Sequence, residues 1–411
     1  MLTSQDIQVL RDLAQQYAQI AALPVHAQKR KLWQDNNECR SARPLVLIDQ
    51  ICWWELDSDP FLTAQVQEPY WRKVEIELRK KIYCWRYMPV DMVFNPYISI
   101  PKPSVDSGWG LDAIVDTKAL DSRAGVRSKH YHHVLKDYED LDKIQMPEYS
   151  LDEEQLRKIR EEAEVIFEGI IPYCMKGISL QLGVWDRISN WMGVQNCYME
   201  LMDRPEFIHA IMQKLIKGLI SQVESLNRQG LYDVTSGMVH CNHTYLDDLP
   251  AADSDKNFGT SNNGWGYGQA QLFTACSPQI TKEFEVEYMQ QIHPYFGAVY
   301  YGCCERLDDR LDIIAKLDRV RKISCSPWSD HEHFAEALPP HRVMSAKPSP
   351  AFLAGSSFDE EQVRKDLRKT IDAAKRYNRN LELILKDIST IRNDPSRLWR
   401  WAEIAMEEVQ R

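Results

Sequence analysis

From residue 278 to the C-terminus the sequence alternates between helix-like segments and short apolar runs, and few architectures accept that order. Helical periodicity covers Pro278–His293, Leu307–Lys316, Asp330–Leu338, Asp359–Tyr377 and Pro395–Val409. Between them lie Gly297–Tyr301, Arg321–Ser324, Arg342–Ser345 and Leu381–Leu385, each suited to a strand buried on both faces. Strands joined by crossover helices pair in parallel with right-handed connections. In a chain of 411 residues the expected fold is therefore α/β, a closed (β/α)8 TIM barrel.

The first half fits the same scheme less regularly. Ser4–Ala22 reads as a helix with Ile7, Leu10, Leu13 and Tyr17 on one side. With the basic run Lys29–Lys31, expected on a solvated helix face, it makes a helical extension over residues 1–42 ahead of a barrel over 43–411. Pro44–Asp49 predicts the first strand, Tyr70–Trp85 a helix, and Val90–Phe94 the second strand. Ser150, with Glu153 three residues on, forms a capping box for a helix reaching Phe167. Asp203 and Pro205 open a helix running towards Gln229, Gly230 closes it, and Leu231–Ser236 predicts a strand. A polar insertion spans about 101–150. Its His130, His132 and His133 sit among charges with no cysteine nearby, so they read as a surface or lid segment rather than a metal site.

Composition narrows the function. The formal net charge is −10 and the sequence pI is about 5.6, which argues against nucleic acid or an anionic membrane as partner. No segment has the length of a membrane span, and the N-terminus lacks the basic-then-apolar pattern of a secretory leader. The ten cysteines are scattered, so a cytoplasmic protein with reduced thiols is expected. No glycine-rich dinucleotide fingerprint or phosphate-binding loop is present.

Chemistry in such barrels sits where strands run out into loops. Six strand ends carry reactive groups: Asp91 after Val90, His240–Cys241–Asn242–His243, Cys303–Cys304–Glu305, Cys325, Lys347, and Lys386–Asp387. Thiolate and imidazole donors suit zinc. His240, Cys241 and Cys303 are the candidate ligands, with Glu305 and Asp387 as further donors. A packed thiol or a hydrogen-bonded loop residue accounts for either cluster equally well.

Four blocks resemble the C-terminal half of the uroporphyrinogen decarboxylase superfamily: YYGCCERLDD from Tyr300, RKISCSPW from Arg321, SAKPSP from Ser345 and LILKDI from Leu383. Trp53–Pro60 and Met202–Phe207 extend the resemblance over most of the chain. The decarboxylase branch carries Arg-Gln-Ala-Gly-Arg-Tyr after its first strand, whereas this chain reads Ile51-Cys-Trp-Trp-Glu-Leu56. An octacarboxylate would find no arginine clamp there. The other branch is similar to corrinoid-dependent methyltransferases, among them methylcobamide:coenzyme M transferases and O-demethylase methyltransferases. Its zinc-binding members have His-x-Cys where this chain has Tyr301-Gly302-Cys303, and a late cysteine where it has Lys386–Asp387. The resemblance implies transfer of a methyl group from a small methylated substrate (an aryl methyl ether, amine or thiol) to a corrinoid on a separate carrier protein. Glu305 or a metal would polarise the departing heteroatom, and Asp91, Lys347 and Asp387 would complete the site. The alternative is a lyase acting on another carboxylated substrate, with Asp91 stabilising a protonated intermediate and Lys347 holding a carboxylate. A barrel kept only for ligand binding is the non-enzymatic alternative. A homodimer is expected by analogy with the superfamily.

Overall fold

The computed structural model describes residues 2–118, 127–235, 237–255 and 257–411. Eight strands carry the architecture: β1 (Leu45–Ile48), β2 (Ile98–Pro101), β3 (Tyr173–Lys176), β4 (Trp265–Gly268), β5 (Ala298–Tyr301), β6 (Val320–Cys325), β7 (Val343–Ala346) and β8 (Leu381–Leu385). The alternation in the second half is observed as expected. β5 to β8 are separated by the helices Leu311–Ile314, His331–Ala337 and Glu360–Arg376, and the helix Ser396–Val409 follows β8. β1 and β4 to β8 form one six-stranded parallel sheet in the order β1-β8-β7-β6-β5-β4.

The continuous ladder does not run round as a closed eight-stranded barrel. β2 and β3 pair in parallel with each other, and among the described residues it is the flanking segments that reach the six-stranded sheet, through isolated bonds. Leu182 N–H donates to the Tyr267 carbonyl at 2.6 Å, and Asp91 N–H donates to the Val46 carbonyl at 3.0 Å. The local cause lies in the expected second strand, Val90–Phe94, which is not extended. Val90 has φ 21°, and Pro96 has no N–H to give a ladder. Pairing resumes only at Ile98.

Ser4–Ala21 is capped by Thr3 and Asp6 acting reciprocally, and Val25–Asn37 follows it. The helix Glu153–Phe167 is capped by Asp152, whose side chain accepts from Gln155 N–H, and not by Ser150. Ser150 instead pairs with Val105 in an antiparallel ribbon. A second ribbon joins Val115–Lys118 to Ser128–Tyr131, where exposed His132 pairs with Asp116 at 2.9 Å. Residues 119–126 of the insertion and Ser236 of the expected strand lie outside the described residues. Among the described residues no helix is long and apolar enough to cross a membrane.

One face of the sheet is polar. Side chains two apart on a strand share a face, so Lys322 and Ser324 of β6 lie together, as do Ser345 and Lys347 at the end of β7. Lys322 Nζ meets Glu382 Oε2 at 2.7 Å with both side chains fully buried. The same ammonium donates to Asn242 Oδ1 at 2.6 Å and to the His243 carbonyl at 2.9 Å. It thereby fastens a small hairpin, Met238–Val239 paired with Asn242–His243, onto the sheet. From the other side Val93 N–H donates to His243 Nε2 at 3.2 Å, and Asn37 Nδ2 donates to the His243 and Tyr245 carbonyls. Removing one member of a buried ion pair strands the other charge. Lys322→Met is expected to lower unfolding free energy by about 3–5 kcal/mol in urea titration, and Lys322→Met with Glu382→Leu should restore part of that loss.

Candidate active site at the strand ends

The hairpin is two residues wide at its tip, because Val239 pairs with Asn242. Such loops need positive φ at both central positions and favour Asn and Gly. Here they are His240 (φ 35°) and Cys241 (φ 66°). A histidine and a cysteine held in this conformation indicate side chains selected for something other than turn formation.

The tip brings His240 to the ends of β4, β5 and β8. Tyr267 Oη lies 3.1 Å from His240 Nε2 and their rings stack at 3.9 Å. Lys386, the first residue beyond β8, places Nζ 3.2 Å from the same nitrogen and 3.0 Å from Cys303 Sγ. Cys304 Sγ lies 3.4 Å from Cys303 Sγ and 3.1 Å from Asp387 Oδ2. Asp387 also meets Lys386 Nζ at 3.3 Å. Histidine, lysine, two thiols and a carboxylate thus form one connected cluster. Cys303 and Lys386 are buried, while His240 and Cys304 are partly open to solvent.

The charges in this cluster support one another. Cys303 is held well below the usual thiol value by its hydrogen bond with Cys304, and, against burial, by His240 and the Lys386 ammonium. Cys304 is pushed well up by its bond to that thiolate and by burial. Burial opposes the Lys386 charge, but the neighbouring sulfurs outweigh it and raise the ammonium above its usual value. Burial lowers His240. The result is a thiolate–ammonium pair beside a neutral imidazole.

The remaining sequence candidates are distributed more widely. Lys347 is buried with Nζ 2.7 Å from Ser345 Oγ and 5.2 Å from the centre of the Tyr300 ring. Glu305 is buried, and its two oxygens accept from Cys303 N–H at 2.8 Å and Ala270 N–H at 3.1 Å. It shapes the Cys303 loop and does not face the open side. Burial, with the Cys303 charge second, raises it to about 7. Asp91 stands apart. It pairs with Arg43 at 2.7 Å and accepts from Val46 N–H at 2.9 Å, so it ties the segment before β2 to β1. Cys241 turns away from His240 towards a cavity of about 880 Å³, which Asp49 and His243 also line and Cys303 and Glu305 do not.

The zinc expectation can be tested on the donors. Among the described residues no three His, Cys, Asp or Glu side chains converge to hold a metal ion. The Lys386 ammonium sits between His240 Nε2 and Cys303 Sγ, where a shared cation would have to lie. Cys241 faces elsewhere, and both Glu305 oxygens are taken. These residues do not fit zinc in this arrangement.

Lys386 stands among the reactive strand-end groups of the sequence, but its role is missed there, whereas its neighbour Asp387 is given one. The signal was present: in Leu381-Glu-Leu-Ile-Leu-Lys386, Glu382 and Lys386 share the parity of one face of a buried strand. Glu285 was missed as well. It is fully buried on a π-helical turn, Lys282–Val286, and accepts from Tyr301 Oη at 3.2 Å. Single-turn π segments concentrate at functional sites.

No family model and no curated protein matches the chain. Its fold is similar to that of a solved methyltransferase from Methanosarcina mazei. The TM-score is 0.51 at 10% identity, over 92% of this chain and 97% of that one. At that identity the likeness establishes a shared fold.

Lys347 supplies a stability test. Burial lowers it from 10.5 to about 8, and among the described residues no carboxylate lies within ion-pair distance of it. Between those values the unfolded chain binds the extra proton, so wild-type stability rises with pH across that window. Lys347→Met should therefore raise the melting temperature at pH 7. The advantage should shrink as the pH climbs from about 8 and be gone above about 10.5. Calorimetry across this range reads the effect.

Proposed function

We propose that this chain transfers a methyl group from a small methylated substrate to a corrinoid borne by a separate carrier protein, on an incompletely paired TIM barrel of the uroporphyrinogen decarboxylase type. The observation that carries the reading is the Lys386 ammonium wedged between Cys303 and His240 at the strand ends. Demethylation at oxygen, nitrogen or sulfur leaves electrons on a poor leaving atom, and that step needs an acid or a fixed positive charge. Lys386 provides both. Its ammonium donates a hydrogen bond to the departing heteroatom and then its proton, and Cys303 keeps the amine charged until that moment. Solvent then reprotonates the Lys386 amine by way of His240, which is partly open to solvent and bonded to Lys386. Glu305 keeps Cys303 in place through the two backbone N–H groups, so the acid role passes from Glu305 to Lys386. When bound, a reduced corrinoid supplies the nucleophile for the methyl carbon. The likeness in fold to a methyltransferase agrees with this reading.

The lyase alternative asked Asp91 to stabilise a protonated intermediate, and Asp91 is committed to Arg43 and Val46. Incubation with reduced cobalamin and a panel of aryl methyl ethers, methylamines and methyl thioethers should yield methylcobalamin, read by its absorbance. Lys386→Met should slow that transfer by about 100-fold or more. Carbon dioxide release from a carboxylated substrate without methyl transfer would favour the lyase instead.

A further inference from the structure

The cavity that Cys241 enters is basic in an acidic protein. It holds about 880 Å³ and lies between β1, the helix Pro69–Tyr87, the start of β2 and the hairpin. Lys73, Lys80 and Lys81 from that helix and Lys176 from the end of β3 line it, against Asp49 and Glu77 as the acidic groups. Four lysines on one cavity of a chain whose net charge is −10 make a local field opposite to that of the whole. Lys80 is partly neutralised by Glu77 at 3.3 Å. Lys73, Lys81 and Lys176 have no carboxylate within 4.0 Å among the described residues. Lys81 instead contacts uncharged groups: Nζ lies 3.3 Å from Tyr17 Oη and 4.9 Å from the Phe94 ring centre. Burial, with the Lys176 charge second, pulls it down to about 8. Two half-buried ammonium groups that repel each other and lack counter-ions are costly unless a ligand supplies the missing charge.

The rest of the wall is apolar and in part aromatic, with Leu47, Trp53, Tyr70, Met92, Val93 and Ile98 facing the space. That combination, an apolar chamber with a few placed charges, is how a small organic ligand is held and oriented. The inner end is closed by the hairpin through Cys241, next to His240 and hence to Lys386. We propose that this cavity binds an organic anion with a flat apolar body, whose acidic group meets Lys81 and Lys176 and whose other end lies against the hairpin. The proposal rests on the methyl-transfer reading only for what happens next; the binding stands without it.

Trp53 lines the cavity, so ligand entry can be followed by tryptophan fluorescence on the full chain. The probes are 4-methoxybenzoate, phenyl phosphate and benzenesulfonate, with 4-methoxybenzamide as the neutral counterpart. At least one anion should bind saturably, at least about tenfold tighter than the amide, and should weaken as salt rises. Lys81→Met and Lys176→Gln should each erase that preference, and Lys176→Arg should keep it. An unchanged melting temperature in the variants separates lost binding from lost fold. Equal binding of amide and anion, unchanged binding in both charge-removing variants, or no saturable signal from any anion overturns the proposal. Anion binding without methyl transfer to cobalamin would retain the cavity assignment and discard the reaction.

Discussion

Lys322 of β6 and Glu382 of β8, buried without exposure and 2.7 Å apart, meet on one face of a sheet that would ordinarily be filled with aliphatic side chains. A charge pair there recovers its desolvation cost only if its remaining hydrogen bonds are made. Lys322 makes its share to Asn242 and His243. Glu382 Oε2 also accepts from Asn36 Nδ2 at 3.4 Å, while its Oε1 is left unpartnered among the described residues. The pair therefore does more than hold two strands together. It requires the hairpin to be present, and the hairpin fixes His240 and Cys241 at its tip. The strained tip, the cluster around Cys303 and the inner wall of the basic cavity all depend on this anchor.

The arrangement separates two tasks by direction. His240 turns towards Tyr267, Lys386 and Cys303, where charge is concentrated. Cys241, its neighbour, turns towards the cavity. Reactive groups and binding space thus meet on one rigid two-residue turn. A shift of the hairpin would move both together, which links stability of the polar core to the geometry of the site.

The second half of the fold was legible because its strands are short apolar runs separated by helices with clear periodicity, and β5 to β8 lie where the pattern puts them. The first half was less legible. Val90–Phe94 has a strand's composition, but the conformation at Val90 and the proline at 96 move pairing to Ile98. The cap at Asp152 was hidden by a better motif two residues earlier. At the site, Cys303, His240 and Asp387 were legible as polar groups at strand ends, and the structure brings them together. Asp91 looked the same in sequence and is committed to Arg43, because sequence does not show which end of a strand a flanking carboxylate occupies. Lys386 was legible as a strand-end group, but its role was not, because a lysine after an apolar strand usually reads as a solvated end. Its partner thiolate comes from a residue 83 positions away, a pairing that periodicity cannot reveal.

The chemistry of the site depends on Cys303 being a thiolate, held by its hydrogen bond with Cys304 and by His240 and the Lys386 ammonium. The most direct measurement is the ultraviolet thiolate absorbance of the protein as pH is lowered, taken as the difference between wild type and Cys303→Ser. A thiolate signal should persist well into the acid range in wild type, and Lys386→Met should move it upward towards the ordinary thiol value. A Cys303 that ionises only near the ordinary thiol value in wild type, or one indifferent to loss of Lys386, would contradict it.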